Sequence, residues 1–397
     1  MKILLVHNFY RQPGGEDQVF AAESRLMKNH GHHVLHFTAH NDQITKLNRL
    51  DLARSTIWNS DIYRKLRKVI QHEKPNIMHV HNTVPLISPT VYYAAKAEGI
   101  TVVQTLHNYR LFCPNALFFR NGHVCDDCMG KFVPFPGILH ACYRESRAAM
   151  TVAVVMLSLH RVLRTYSRMV DMYIALTEFA RHKFIEGGIP AEKIMVKPNF
   201  LHSDPSISER DREYALFVGR LSPEKGLRTL LKAWQQLKII PLKLVGDGPL
   251  MDETHWFVGT GKLECIEVLG SCNHEQVIAL MKNARFLVFP SEWYETFGMT
   301  IIEAFACSTP VVTSRLGAMI EIVEDGRTGL NFDAGNPDDL AAKVKWVWTH
   351  PRKREEMGRE ARREYEEKYT AGRNYKILMD IYKTAIERSR KKSTIQI

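Results

Sequence analysis

Ten short apolar runs, separated by amphipathic stretches and turn residues, constrain this chain more than any other feature. In the first half they are Ile3–Val6, His33–Phe37, Ile77–Val80, Val102–Leu106 and Met172–Leu176. In the second half they are Ala215–Val218, Leu242–Val245, Ile266–Leu269, Phe286–Phe289 and Val311–Thr313. Runs this short suit buried strands with helices between them, as parallel sheets require. The predicted fold class is α/β, with two Rossmann-like doubly wound domains at 1–200 and 201–375 facing a cleft. A length of 397 residues is enough for two separate cores. A polar, turn-rich stretch, Lys197–Asp211, is the expected linker and hinge. The charged tail beyond Arg352 is predicted helical. Its apolar stripe, Tyr375–Tyr382, needs a surface to cover, and 376–397 is taken as a C-terminal helix whose docking site the sequence leaves open.

Charge is uneven. Residues 1–200 hold 25 Lys+Arg and 15 Asp+Glu, a difference of +10, while 201–397 hold 29 and 28, a difference of +1. A basic first half can meet nucleic acid, anionic lipid or an anionic substrate. No recognisable nucleic-acid motif accompanies it, so a basic nucleic-acid binding module stays a remote alternative and no nucleic acid partner is expected. No segment reaches the roughly 20 apolar residues that span a bilayer. Lys2–Val6 reads as a buried strand rather than the core of a signal peptide. Seven unevenly spaced cysteines suit a reducing interior better than a disulfide framework. The expected location is cytoplasmic.

Ligands of such sheets lie beyond the strand C-termini, and the chemically suggestive residues fall there. Pro13-Gly14-Gly15 follows the first strand and His107 the fourth. Arg220 and Lys225 follow the first strand of the second half, Gly246 its second, and Glu295 the strand ending at Phe289. Glu295 is expected in a loop, with Thr296 as N-cap of a helix carrying Glu303. Eight helical residues at 1.5 Å each would separate the two carboxylates by about 12 Å, roughly the span from hexose to ribose across a diphosphate. Between them, amides of Phe297, Gly298 and Met299 are offered to phosphate oxygens. Arg220 supplies a planar fork and Lys225 a point charge for a leaving diphosphate. Acids for hydroxyls and cations for a diphosphate read as a nucleotide-sugar site.

These residues sit in longer motifs: Pro13–Glu16, Thr105–Asn108, Val196–Asn199, Val218–Gly226, Leu244–Pro249, Pro290–Gly298 and Glu303–Cys307. On them the chain resembles a retaining glycosyltransferase of the GT-B fold, family 4, of the kind that builds bacterial cell-surface polysaccharides. The resemblance covers nearly the whole length. It implies that Arg220 and Lys225 bind the diphosphate, Glu295 the transferred sugar and Glu303 the ribose. It places the backbone of Gly14 and Gly15 near the donor phosphates, Gly246 among the donor-binding residues, and His107 beside the sugar hydroxyls. The implied donor is a UDP-, GDP- or similar sugar and the acceptor a glycan or lipid-linked glycan. Transfer is expected with retention, without a catalytic metal or other cofactor. The chain departs from the family at Asn108, where Asp is common, at Ser308, where Gly often follows Cys, and at Leu316-Gly317, where Gly-Gly is common. A sugar-nucleotide epimerase of the same fold is the enzymatic alternative, against which the Glu295-to-Glu303 segment argues.

Two features lie outside that constellation. Cys113, Cys125, Cys128 and Cys142 fall within thirty residues of loop-like sequence, the middle pair as Cys-x-x-Cys. Structural zinc is the expected occupant of four such thiolates, with ordinary reduced cysteines or an iron–sulfur cluster as alternatives. Next, Ala148–His160 contains no Lys, Arg, Asp or Glu and is bracketed by Arg144, Arg147, Arg161, Arg164 and Arg168. Two readings stay open: a core helix with exposed ends, or a helix in the interface of an anionic membrane. A second basic stretch, Tyr63–Lys68, would add attraction to such a surface, at the inner face of the cytoplasmic membrane.

Overall fold

The structure, a computed structural model, describes residues 1–12, 14–207, 212–261 and 263–395, the last four of these by backbone only. The chain divides into two compact units. Met1–Phe118, Asp126–Asn199 and Asn374–Ile397 form the first, and Phe119–Cys125 with Phe200–Arg373 the second. The expected hinge Lys197–Asp211 falls partly on 208–211, outside the described residues.

In the first unit the strands are β1 (Lys2–Phe9), β2 (His33–His40), β3 (Ile77–Val80) and β4 (Thr101–Thr105). A short antiparallel hairpin follows, β5 (Phe119–Arg120) with β6 (His123–Val124), assigned to the second unit. The first unit resumes with β7 (Met172–Ala175) and β8 (Ile194–Val196). Its sheet is parallel throughout, in the order β2-β1-β3-β4-β7-β8. The order reverses between β1 and β3, so the loops after these strands part and leave a crevice at their C-terminal ends.

The second unit repeats the plan. Strands β9 (Tyr214–Val218), β10 (Leu242–Val245), β11 (Ile266–Gly270), β12 (Ala284–Phe289), β13 (Val311–Ser314) and β14 (Gly329–Phe332) form a parallel sheet in the order β11-β10-β9-β12-β13-β14. Here the reversal lies between β9 and β12. Leu216, Leu244, Phe286 and Val288 are buried, as the apolar runs require. On one flank Leu227, Leu230, Leu231 and Trp234 of helix Leu227–Trp234 join this core. Trp234 satisfies its indole N–H on Ile240 O at 3.0 Å.

All ten expected strands form. Strands β8 and β14 and the hairpin were not anticipated. Asn331 interrupts β14 with a buried polar group, and β8 is only three residues long, so neither carries a clear apolar run.

The C-terminal helix, Ala371–Ile395, finds its partner in the first unit. Leu378, Ile381, Tyr382 and Ala385 are fully buried, the spacing of one helix face. Tyr382 Oη lies 2.8 Å from His79 Nδ1. The apolar segment after the cysteine-rich loop is helix Arg147–Val162. It buries Met150, Ala153, Val154, Met156, Leu157 and His160, so its main apolar face belongs to the core of the first unit. No described helix is long and apolar enough to cross a membrane.

Candidate active site

The second unit assembles its site where the sheet order reverses. The loop after β9 carries Arg220 and Lys225, and the loop after β12 carries Glu295. The two loops are tied by Glu292 N–H donating to Glu224 O at 2.9 Å. Gly226 makes the approach feasible: its φ is +69°, and a Cβ there would sit 1.8 Å from Pro290 O. Only glycine accepts both the left-handed backbone and the lack of space. Gly246, after β10, is equally constrained, with φ +137° and a notional Cβ 1.9 Å from Gly219 O.

Glu295 is buried, and three donors converge on one of its oxygens. Oε1 accepts from Lys225 Nζ at 2.6 Å, Ser291 Oγ at 2.8 Å and Trp293 Nε1 at 2.9 Å. The Lys225 ammonium also lies 5.4 Å from the Trp293 ring centroid and 5.7 Å from that of Phe289. A carboxylate held by charge-assisted bonds is fixed in orientation before any ligand arrives. Arg220 is exposed, and among the described residues no hydrogen bond or ion pair holds its guanidinium.

The helix behind Glu295 starts later than expected. It spans Met299–Ala306 with Gly298, not Thr296, at the N-cap. Eight helical residues therefore do not separate Glu295 from Glu303, and the 12 Å derived from them does not apply. The first-turn amides belong to Met299 and Thr300, since Ile301 N–H already bonds Gly298 O at 3.0 Å. Phe297 is buried, its ring edge-on to Tyr369 at 5.9 Å. Glu303 is buried in the helix, and loss of hydration raises its carboxyl to about 7. His274 Nδ1 is 3.6 Å from Glu303 Oε1.

The first unit gathers histidines at its own reversal point. His107 Nε2 lies 3.0 Å from His81 Nδ1, the rings stacked at 5.2 Å. Burial holds both imidazoles well below the usual histidine range, so both are neutral at pH 7. His81, Thr105, His107, Asn108, Arg110 and Tyr166 are among the residues lining a polar pocket beside them. Gly14 is the N-cap and Gly15 the first residue of helix Gly15–Asn29. Gly14 N–H donates to Asp17 Oδ2 at 2.8 Å, and Asp17 Oδ1 lies 2.6 Å from His7 Nε2. Pro13 lies outside the described residues.

Several residues of this region had no role assigned from the sequence, although Glu16 and Lys197 lie inside its motifs. Glu16 Oε2 accepts weakly from Asn108 Nδ2 at 3.4 Å, so a carboxyl stands beside the residue where the family commonly carries Asp. Burial raises the Glu16 carboxyl and, helped by Glu16, the Tyr10 phenol. Deeper in, Lys197 Nζ donates to Glu23 Oε1 at 2.7 Å and to Asn374 Oδ1 at 3.3 Å, all three side chains buried. Glu23 had a detectable signal: it shares a helix face with Val19, Phe20, Leu26 and Met27, where a carboxylate must have a partner.

The structural-zinc expectation is corrected. Cys113, Cys128 and Cys142 of the first unit do not bring their sulfurs within reach of one ion. Cys128 Sγ instead donates to Pro134 O at 3.8 Å, and burial keeps the Cys113 thiol protonated. Among the described residues the one such grouping is Glu23, His79 and His81. There the carboxylate is already matched by Lys197, and His79 bonds Tyr382 and Thr105 at 2.8 Å each. That chemistry is a buried network satisfied except at Glu23 Oε2 and His81 Nε2, which stand 3.5 Å apart without a hydrogen-bond partner.

Comparison with known proteins bears on the family and the fold. Residues 13–204 match the model of Glycosyltransferase Family 4, and residues 201–364 that of Glycosyl transferases group 1. An uncharacterized glycosyltransferase of Methanocaldococcus jannaschii is 32% identical over 200 residues, 50% of this chain and 56% of the relative. O-antigen chain mannosyltransferase B of Escherichia coli is 37% identical over 138 residues, 33% and 35% of the two chains. The chain thus spans about half the length of the first and a third of the second. Among solved structures, Anabaena HepE in complex with UDP and glucose superposes with a TM-score of 0.68 at 19% identity, covering 96% of this chain and 99% of that one.

Proposed function

Because the chain belongs to glycosyltransferase family 4 and carries the two doubly wound units of the GT-B fold, we propose that it moves a sugar from a nucleotide-diphosphate donor to a glycan or lipid-linked acceptor in surface polysaccharide synthesis. One observation carries this reading: Lys225 and Glu295, from loops on either side of the sheet reversal, meet at 2.6 Å. In this reading the second unit holds the donor. Lys225 and the exposed Arg220 neutralise the diphosphate, and the first-turn amides of Met299 and Thr300 add donors to it. Glu295 spends Oε1 on protein donors and offers Oε2 to sugar hydroxyls. Glu303 takes the ribose.

Chemically, the bond from the anomeric carbon to the diphosphate breaks while the acceptor oxygen bonds to that carbon on the same face. The departing phosphate oxygen accepts the acceptor's proton, so the reaction retains configuration and asks for no protein nucleophile. Lys225 and Arg220 supply the charge stabilisation, which makes a metal unnecessary in this scheme. The first unit receives the acceptor in the pocket beside His107, whose neutral imidazole serves as a hydrogen-bonding group. The relatives' names support the pathway, since one is an O-antigen chain mannosyltransferase, and a structural neighbour holds UDP with glucose.

Screening UDP- and GDP-sugars for thermal stabilisation and hydrolysis, then adding lipid-linked acceptors, tests the reading. A donor that is stabilising, hydrolysed and transferred with retained anomeric configuration is the expected result. Epimerisation of the donor without an acceptor would replace the reading with the epimerase alternative.

A further inference from the structure

We propose that the segment Lys131–Leu139, with the adjoining helix end at Val162 and Leu163, is a docking face for an anionic lipid bilayer. Six large apolar side chains are exposed here: Phe132 (58%), Val133, Phe135, Leu139 (61%), Val162 (62%) and Leu163. Single exposed apolar residues are ordinary on protein surfaces, whereas a group brought together in one place marks a contact.

The segment is held firmly while its side chains point outward. Arg161 donates from Nη1 to Lys131 O at 2.5 Å and Phe132 O at 2.9 Å, and from Nη2 to Leu111 O at 2.8 Å. One guanidinium therefore pins the loop to the end of helix Arg147–Val162. At the other end, Gly137 lies against Met150, a notional Cβ coming within 3.1 Å of its sulfur. The short helix Pro136–Leu139 thus rides on the longer one with Leu139 outside. The cysteine-rich stretch gains a role here through the face it presents.

Charge selects the occupant. Residues 128–168 contain six Lys+Arg and one acidic residue, Glu145. Lys131, Arg144, Arg147, Arg164 and Arg168 are exposed around the apolar group. Apolar tips rimmed by cations match headgroups over acyl chains, the signature of interfacial binding. The same rim would oppose a second copy of this face. The contact proposed is peripheral, and no described helix is long and apolar enough to cross a bilayer. It deepens the reading above by placing a lipid-linked acceptor's bilayer beside the first unit, and it rests on that reading only for the acceptor.

The test is flotation of the full chain with phosphatidylcholine vesicles and with vesicles containing phosphatidylglycerol, without donor or acceptor. Binding to the anionic vesicles alone, weakened at high salt, is expected. The combined Phe132→Ser, Phe135→Ser, Leu139→Ser variant should bind at least about tenfold more weakly. Arg164→Glu with Arg168→Glu should do the same. Both should keep the thermal unfolding profile and the vesicle-free donor hydrolysis of the parent. Wild-type affinity in both variants, equal binding to both vesicle types, or a dimer in light scattering that the serine variant dissolves would overturn the proposal. Loss of donor hydrolysis in the wild type with intact vesicle binding would sink the enzymatic reading alone.

Discussion

Lys225 and Glu295 are seventy positions apart in sequence, yet their side chains meet at 2.6 Å where the second sheet reverses its strand order. The contact joins the two loops that a doubly wound sheet leaves open for a ligand. Ser291 and Trp293 hold the same carboxylate oxygen, so Glu295 stays oriented even if the lysine is lost.

Lys225→Ala and Glu295→Ala are therefore expected to abolish transfer, each by about a hundredfold or more, as removal of a preorganised charge-stabilising group does. The thermal midpoint should change little for Lys225→Ala, because three-donor anchoring drops only to two. Initial rates with a saturating donor, measured beside unfolding curves, check this. Near-normal turnover in either folded variant would remove the assignment.

Glu303 gives the site a pH signature. Burial raises its carboxyl to about 7, and the neighbouring His274 Nδ1 stands 3.6 Å away. If ribose hydroxyls bind the carboxylate, nucleotide affinity should fall by about tenfold between pH 8 and pH 6. Glu303→Gln should bind more weakly at pH 8 and lose most of that slope. The folding effect runs the opposite way on the pH axis: a raised carboxyl favours the fold below about 4.5 and loses that contribution as pH rises through about 7. Calorimetric titration with UDP or GDP at several pH values separates binding from stability.

Gly226 sets the distance between the two site loops. A Cβ would meet Pro290 O at 1.8 Å, on a backbone with φ +69°. Gly226→Ala should cost at least about 1–3 kcal/mol in stability and lower activity by displacing Lys225. A variant with unchanged denaturant midpoint and unchanged rate would show that the loops are not so tightly coupled.

Much of this was legible in the sequence, for a physical reason. Buried parallel strands write themselves as short, mostly apolar runs, so Ile77–Val80 and Leu242–Val245 were found to the residue although His79 and Lys243 interrupt them. Lys225 and Glu295 were visible because strand ends in such sheets host ligands. Helix starts were less legible. Thr296 has the side chain of a cap, but the chain turns helical only after Gly298, once Phe297 is buried against Tyr369. The cysteines misled because spacing reports thiols without reporting where a loop folds; Cys128 turned to Pro134 O. Long-range pairs such as Glu23 with Lys197 are invisible to periodicity, which sees one helix face at a time.

That buried pair carries the last prediction. Lys197 Nζ donates to Glu23 Oε1 at 2.7 Å and to Asn374 Oδ1 of the C-terminal helix at 3.3 Å, with His79 and His81 packed beside the carboxylate. Lys197→Met leaves a buried carboxylate uncompensated and should cost about 3–5 kcal/mol, whereas adding Glu23→Gln should recover a large part. The histidines make the same region sensitive to acid. Burial lowers His79 to about 4 and His81 well below its usual range, so the unfolded chain takes up protons first as pH falls. The histidine contribution to stability should therefore decline from pH 6.5 towards 4, by roughly 3 kcal/mol for His79 alone. Because Glu303 gains stability over much of the same range, urea unfolding of Glu303→Gln reads the histidine effect out, and a flat profile in that variant would mean that the histidines titrate normally in the fold.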